Sequence, residues 1–173
     1  MWITRNERLR VDERYDLIVV GAGVAGVAAA LAGARRKLKT LLIEKTVMPG
    51  GLATVGYITI YLPLCDGNGR RLTGGIAEEL LWLSIEDSYD NLAQRWRARP
   101  ERAQSEGARY RTTFNAPSFA AHLDRALIGA GVDIQFDTLF SDVVLEGGRI
   151  THVIADNRDG RTAYASPVVI DAT

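Results

Sequence analysis

Three glycines, Gly21, Gly23 and Gly26, separate a run of bulky apolar residues from a run of small ones. The first permits a tight turn out of a strand, the second removes a side chain where the backbone must approach phosphate, and the third lets a helix pack closely on the strand. Main-chain N–H groups at the start of such a helix bind anions. The spacing therefore predicts a pyrophosphate site at a helix N-terminus.

One acidic residue, Glu44, ends the next apolar segment. A carboxylate at that place can accept hydrogen bonds from the hydroxyls of an adenosine ribose. A glycine motif alone is weak evidence, but strand, glycines, helix and acidic residue in this order indicate a dinucleotide site. The alternative is a glycine-rich turn that only packs a helix against a sheet.

A strand–helix–strand unit must position these residues. Residues 16–20 are apolar, as expected for a strand buried on both faces of a parallel sheet, and residues 24–36 follow as a helix. Residues 40–44 complete the unit as a second strand. Further helices are predicted from Ile76 to about Arg97 and from Asn115 to the stop at 129–131. Further strands are predicted at 57–62, 132–136, 139–156 with a turn at 146–148, and 164–170.

The composition of the 173 residues, 47% hydrophobic and 24% charged, is that of a soluble globular domain. The formal net charge is zero, so no global basic field attracts nucleic acid or an acidic membrane surface. A basic-leaning stretch, 95–111, contains Trp96 and Tyr110 but is interrupted by Glu101 and Glu106. We interpret it as a solvated face and expect no nucleic-acid partner.

An uncharged run, 17–34, has the length of a membrane span. Its glycine spacing and the acidic residues that precede it favour strand plus helix, so we expect no membrane association. The single cysteine, Cys65, excludes an intrachain disulfide and agrees with a reducing compartment, which predicts a cytoplasmic protein. His122 and His152 lack partners at metal or triad spacing, so we predict no metal site and name no catalytic residue.

Three segments together resemble the N-terminal part of FAD-dependent oxidoreductases that have the glutathione-reductase type of flavin-binding fold. They are residues 16–26, DLIVVGAGVAG, residues 42–45, LIEK, and residues 50–54, GGLAT. The glycine pair of the third segment matters most, because simple NAD-binding domains usually lack it. A weaker resemblance covers residues 74–80, 131–134 and 168–173. The resemblance as a whole implies an α/β, Rossmann-like FAD-binding domain with a central parallel sheet, a β-meander and a helical insertion.

The resemblance also implies the cofactor, FAD, and its contacts by position. The pyrophosphate contacts would be Gly21, Gly23, Val24, Ala25 and Gly26, and the adenosine ribose contacts Glu44 and Lys45. The flavin side would meet Gly51, Leu52, Ala53 and Thr54, adenine would meet Val143, and Ala172 and Thr173 would also contact the cofactor. For residues 51–54 an ordinary glycine-rich loop is the alternative, and for Val143 an ordinary strand residue.

The predicted organisation is a leader at 1–14 and the FAD-binding domain at 15–173, with a helical excursion at about 74–130. In the family, the strand that ends in Ala-Thr continues into a region that completes the flavin pocket and builds the substrate site. We therefore expect an incomplete oxidoreductase of unspecified small-molecule substrate, with a missing C-terminal region, a partner chain or a homo-oligomer completing it. The rival readings are an NAD- or ADP-binding module without flavin, and a non-catalytic fragment or subunit that docks on a partner.

Overall fold

Strands and helices alternate along the chain in the computed structural model, which describes residues 3, 6–61, 72, 74–87 and 112–173. The helices are α1 (Val24–Arg35), α2 (Ile76–Ile85) and α3 (Ala116–Gly129), with a short 3-10 helix at Gly51–Ala53. The strands are β1 (Arg10–Asp12), β2 (Leu17–Val20), β3 (Thr40–Ile43), β4 (Ile60–Tyr61), β5 (Thr112–Thr113), β6 (Asp133–Gln135), β7 (Leu139–Glu146), β8 (Arg149–Asn157), β9 (Gly160–Ala165) and β10 (Val168–Asp171).

The centre of the fold is a parallel sheet with the strand order β10-β2-β3-β6. In its register Val19 lies between Leu42 and Ile170. All residues of β2 and β3 are buried, which explains why both read as continuous apolar runs. The predicted strand–helix–strand unit is thus confirmed, because α1 connects β2 to β3.

Each face of the parallel sheet is covered by a different layer. Leu17, Val19 and Leu42 pack with α1, α2 and α3 in one core cluster. Ile18 and Leu41 point to the other face and pack with residues of β8 and β9. The alternation of side chains along a strand therefore divides the core into a helical layer and a meander layer. This is the α/β architecture expected from the sequence.

The meander is formed by β7, β8 and β9, which pair antiparallel in sequence order. Its first turn uses Gly147 and Gly148, both with positive φ, at the predicted hinge. The segment predicted as strand at 164–170 is divided, since β9 belongs to the meander and β10 to the parallel sheet.

The leader predicted at 1–14 requires a correction, because Arg10–Asp12 forms β1 and pairs parallel with β9. The strand is short and two of its three residues are charged, so it has no apolar run to reveal it. Asp12 is nevertheless buried, and its carboxylate accepts bonds from the Arg14 guanidinium at 2.9 Å (Nε) and 2.7 Å (Nη2). The neighbouring cation holds the pKa of Asp12 below its ordinary value.

Helix α3 begins and ends where predicted. The Asn115 side chain accepts a bond from the Ser118 N–H at 3.0 Å, and Pro117 lies in the first turn. Helix α2 begins at Ile76 as predicted and ends at Ile85, and most of the remaining prediction, to about Arg97, falls on residues outside the described ranges. Cys65 and the stretch 95–111 also lie outside those ranges.

The strand predicted at 57–62 is reduced to Ile60–Tyr61 within the described residues. The residues before it belong to a loop in which Tyr57 has a φ of 53°, a left-handed conformation that no strand contains. Loop bonds use this backbone instead, since the Ile58 N–H donates to the Leu52 carbonyl at 2.9 Å.

Candidate cofactor-binding site

A cleft of about 830 Å³ opens where the carboxyl ends of β2, β3 and β10 meet. This edge is where ligands bind in open parallel sheets. The glycine turn after β2 forms its floor. Gly21 has a φ of 94°, and a Cβ there would lie 2.8 Å from the Ala172 carbonyl oxygen. A Cβ on Gly26 would lie 1.8 Å from the Gly21 oxygen, so both glycines are required for close packing of turn, helix and β10.

Gly23 has a different role, because it is the N-cap of α1 and lines the cleft. Its φ of −60° suits any residue, and a Cβ there would meet nothing within 4 Å. Glycine has no side chain to cap the helix, and the first turn, Val24–Val27, has no acidic residue. The main-chain N–H groups that start α1 therefore stand beside open space that an anion can enter.

Glu44 follows β3 and is 6% exposed. Its Oε2 accepts a bond from the Ala22 N–H at 2.6 Å, and its Oε1 accepts bonds from the Thr46 N–H and hydroxyl at 2.8 Å each. The carboxylate therefore ties the glycine turn to the loop after β3. Glu44 also lines the cleft, as does its neighbour Lys45.

The second glycine pair lies directly against the first glycine segment. The Gly50 N–H donates to the Ala22 carbonyl at 2.7 Å, and Gly50 forms a bridge with Gly23. Gly51 has a φ of 54°, and a Cβ there would be 3.1 Å from the Gly23 Cα. The buried Thr54 hydroxyl donates to the Pro49 carbonyl at 2.6 Å and so holds this loop closed. The two glycine segments thus share one wall of the cleft.

One end of the cleft is apolar. Leu52, Val55, Ile58 and Ile60 line it and remain exposed, Leu52 by 71%, and Phe114 closes it from the start of the segment that leads into α3. Exposed apolar side chains grouped in a cavity offer a surface for a flat, weakly polar ring. This end is continuous with the glycine segments through Gly51 and Leu52.

Another part of the cleft is lined by the loop after β3 and by the start of β7. Two main-chain bonds join the loop after β3 to the loop between β6 and β7, from the Asp137 N–H to the Thr46 carbonyl at 2.9 Å and from the Thr138 N–H to the Glu44 carbonyl at 3.0 Å. Leu139 and Phe140, the first residues of β7, line the cleft here. Val143 lies farther along the same strand and does not line it.

Most of the predicted site residues come together around this one cleft. Those that line it are Gly21, Gly23, Val24, Ala25, Glu44, Lys45, Gly51, Leu52, Ala53, Ala172 and Thr173. Gly26 and Thr54 support the two glycine segments without lining the cleft. Val143 does not line the cleft either. The cofactor contacts assigned to these residues stay predictions.

Several lining residues were not predicted: Val20, Ile43, Thr46, Gly50, Val55, Gly56, Ile58, Ile60, Phe114, Thr138, Leu139 and Phe140. Only some of these residues could be found from the sequence. Gly50 belongs to the quoted glycine pair, and Leu139 and Phe140 open the run in which Val143 was chosen. Phe114 is distant in sequence from every motif, so only the folded chain brings it to the cleft.

The carboxyl end of β10 is shaped by Asp171, whose Oδ1 accepts bonds from the Thr173 N–H at 3.0 Å and the Thr173 hydroxyl at 2.8 Å. These bonds hold the pKa of the Asp171 carboxyl below its ordinary value. In the described part of the chain, no three His, Cys, Asp or Glu side chains group as metal ligands. None of the described helices is long and apolar enough to cross a membrane.

The sequence of residues 16–173 matches the family described as FAD dependent oxidoreductase. The match covers most of the chain, so the chain belongs to this family. FAD is therefore its cofactor, and the open N-terminus of α1, the paired glycine segments and the apolar end of the cleft fit that molecule's pyrophosphate and ring.

Two curated relatives are similar over different lengths. A thioredoxin reductase of Peptoclostridium litorale is 35% identical over 83 residues, which are 47% of this chain and 26% of that protein. The protein FixC of Azotobacter vinelandii is 28% identical over 176 residues, which are 92% of this chain and 37% of that protein. The chain thus spans well under half the length of either relative.

Solved structures share the fold at low sequence identity. The Mycobacterium smegmatis Sdh1 complex matches 95% of this chain and 35% of its own, with a TM-score of 0.62 and 14% identity. Thermovibrio ammonificans THI4 matches 92% of this chain and 57% of its own, with a TM-score of 0.59 and 17% identity. Both likenesses concern the fold alone.

Proposed function

We propose that this chain forms the FAD-binding part of an oxidoreductase whose substrate side is built mainly by other protein. One observation carries the proposal: the two glycine segments, the Glu44 carboxylate and the end of β10 meet around a single cleft at the carboxyl edge of the parallel sheet. A nicotinamide-binding domain needs only the first glycine segment and the acidic residue. The second glycine segment and the apolar end extend the cleft beyond that need.

Each part of the cleft has a role in this proposal. The N-terminus of α1 holds the pyrophosphate, with Gly23 allowing the phosphate oxygens to approach the backbone. Glu44 and Lys45 contact the adenosine ribose, and residues 51–54 pass along the flavin side. When bound, FAD supplies the hydride or electron chemistry, while the chain supplies orientation and exclusion of water.

The proposal includes a small-molecule substrate, an electron acceptor and further protein that completes the site. A C-terminal continuation, a partner chain or a second copy would complete the cleft beside Ala172 and Thr173. We also propose a cytoplasmic location, which the single cysteine supports, since cytosolic proteins rarely rely on disulfides.

Visible absorbance of the purified protein tests the proposal. We expect a yellow protein that releases FAD on heat denaturation, or a colourless one that takes up added FAD. At a hundred times the Kd, FAD should raise stability by about 2.7 kcal/mol, or a Tm shift of about 5–10 °C.

Two results would contradict the proposal. A colourless protein that is stabilised by NAD but not by FAD would be a nicotinamide-binding module. A protein that responds to neither would be a non-catalytic subunit. Riboflavin, which lacks phosphate and adenosine, is the control ligand, and it should bind far more weakly than FAD because the glycine segments have nothing to hold.

A further inference from the structure

The side chain of Thr46 completes the hydrogen bonding of Glu44, although no cofactor contact is assigned to it. Thr46 is half-buried at the edge of the cleft, two residues after Glu44. Its hydroxyl lies 2.8 Å from Glu44 Oε1 and 3.0 Å from the Met48 carbonyl oxygen. A hydroxyl has one hydrogen to donate, and the carboxylate oxygen is both nearer and charged, so the carboxylate is the acceptor.

The acceptor positions on Glu44 can then be counted. A carboxylate offers about four, two on each oxygen. Oε1 accepts from the Thr46 N–H and the Thr46 hydroxyl, and Oε2 accepts from the Ala22 N–H. Within the described residues, these bonds leave one position, on Oε2, for a ligand in the cleft.

We infer that Thr46 is a positioning residue for the cofactor, because its two bonds to Oε1 direct the one free acceptor of Glu44 toward the adenosine ribose. The inference rests on the proposed function, in which Glu44 meets the ribose. Without the Thr46 hydroxyl, the Glu44 carboxylate is held, within the described residues, by its two main-chain bonds alone. Its terminal torsion, which is intrinsically broad, is then less tightly restricted. Part of the free energy of the hydrogen bond between Glu44 and the ribose is then lost in orienting the carboxylate.

The position of Thr46 is itself fixed by the loop between β6 and β7, which makes this role possible. Its carbonyl accepts the Asp137 N–H at 2.9 Å, and the Glu44 carbonyl accepts the Thr138 N–H at 3.0 Å. The loop that bears both side chains is therefore held at its backbone as well. A hydroxyl on such a loop is a fixed donor.

The test compares Thr46→Val with Thr46→Ser. Valine keeps the shape and the main-chain N–H but removes the hydroxyl, whereas serine keeps the hydroxyl. Two ligands are titrated into the apoprotein: FAD, and an FAD analogue whose adenosine has 2′,3′-dideoxyribose. We expect Thr46→Val to weaken FAD binding about tenfold, which does not exceed the strength of one Glu44–ribose hydrogen bond to a charged group, and Thr46→Ser to bind FAD within about threefold of wild type.

The analogue separates positioning from general structure. It should bind the wild-type protein more weakly than FAD does, but Thr46→Val should bind it as the wild-type protein does, because no ribose hydroxyl is left to misplace. An equal loss of affinity for both ligands would mean that Thr46 only supports the fold. The Thr46→Val apoprotein would then also unfold at a lower temperature than the wild-type apoprotein. Unchanged FAD binding by Thr46→Val, or equal wild-type binding of both ligands, would overturn the inference while leaving FAD binding intact. If the wild-type protein binds no FAD, the proposed function fails first.

Discussion

Two glycines three residues apart should respond in opposite ways to the same added methyl group. In Gly26→Ala the new Cβ would lie 1.8 Å from the Gly21 carbonyl oxygen and 3.3 Å from the Ala172 Cβ, so helix α1 and the turn must move apart by more than an ångström. We expect a loss of about 3 kcal/mol or more, as for other overpacked cores, and a Tm lower by about 6–12 °C.

In Gly23→Ala the new Cβ would meet nothing within 4 Å, and the φ of −60° suits alanine. The apoprotein should unfold near the wild-type temperature, because alanine restricts the unfolded chain by about 0.4–1 kcal/mol but is a poorer N-cap residue than glycine by a similar amount. The methyl group would, however, stand where phosphate must approach the backbone. Losing one bond to a charged group should weaken FAD binding about ten- to a hundredfold.

Thermal unfolding without ligand and titration with FAD separate the two effects. Gly129→Ala, at the end of α3 and also with nothing within 4 Å of the new Cβ, is the control for a glycine-to-alanine change away from the cleft. It should leave FAD binding unchanged. A Gly26→Ala protein as stable as wild type would refute the packing argument. A Gly23→Ala protein with wild-type FAD affinity would refute the phosphate site at α1.

Three further predictions concern stability. Asn115→Ala removes the cap of α3 and should cost about 1 kcal/mol in urea unfolding, with Asn115→Gly costing only a few tenths; equal costs would exclude a capping role. Because Arg14 lowers the pKa of Asp12 from 3.8, the Asp12–Arg14 pair should stabilise the protein fully above about pH 4 and lose that effect as the pH falls through the lowered pKa. Asp12→Asn should flatten this acid limb of a pH series of unfolding curves; an unchanged limb would contradict the pairing. Arg35→Ala breaks an exposed two-bond ion pair with Glu79 that links α1 to α2 and should cost under about 1 kcal/mol, with the difference from wild type shrinking as salt rises; a cost independent of salt would show that packing dominates.

The parallel core could be predicted from the sequence because its signals are local. The apolar runs of β2 and β3, the glycine turn and the Asn115 cap each lie within a few residues of the element that they define. The N-terminal strand could not be predicted in this way. Arg10–Asp12 is a strand only because β9 offers an edge to pair with and Arg14 accompanies the buried Asp12 carboxylate.

The same difference between local and long-range signals applies to the residues of the cleft. Glycine spacing indicated the floor of the cleft, since a missing side chain has a direct consequence for backbone approach. The apolar end was not foreseen, because Ile60 and Phe114 are far apart in sequence and reach the cleft through the β4–β5 pair and the start of α3. At β7 the predicted run reaches the cleft, but the residues of the strand that line it are Leu139 and Phe140 and not Val143, whose contact with adenine stays a prediction.

The hydrogen bonds around the glycine turn explain why its spacing is so informative. Ala22 donates its N–H to Glu44 and accepts the Gly50 N–H, while the Ala172 N–H donates to the Val20 carbonyl at 2.8 Å. The loop after β3, the second glycine segment and the end of β10 are therefore attached to β2 and its glycine turn. Two of these attachments are made through a single residue, Ala22, whose own methyl group is buried. Because two of these three bonds join main-chain groups alone, side-chain changes elsewhere leave them intact. The remaining bond depends on one carboxylate, so Glu44 shapes the turn without any ligand.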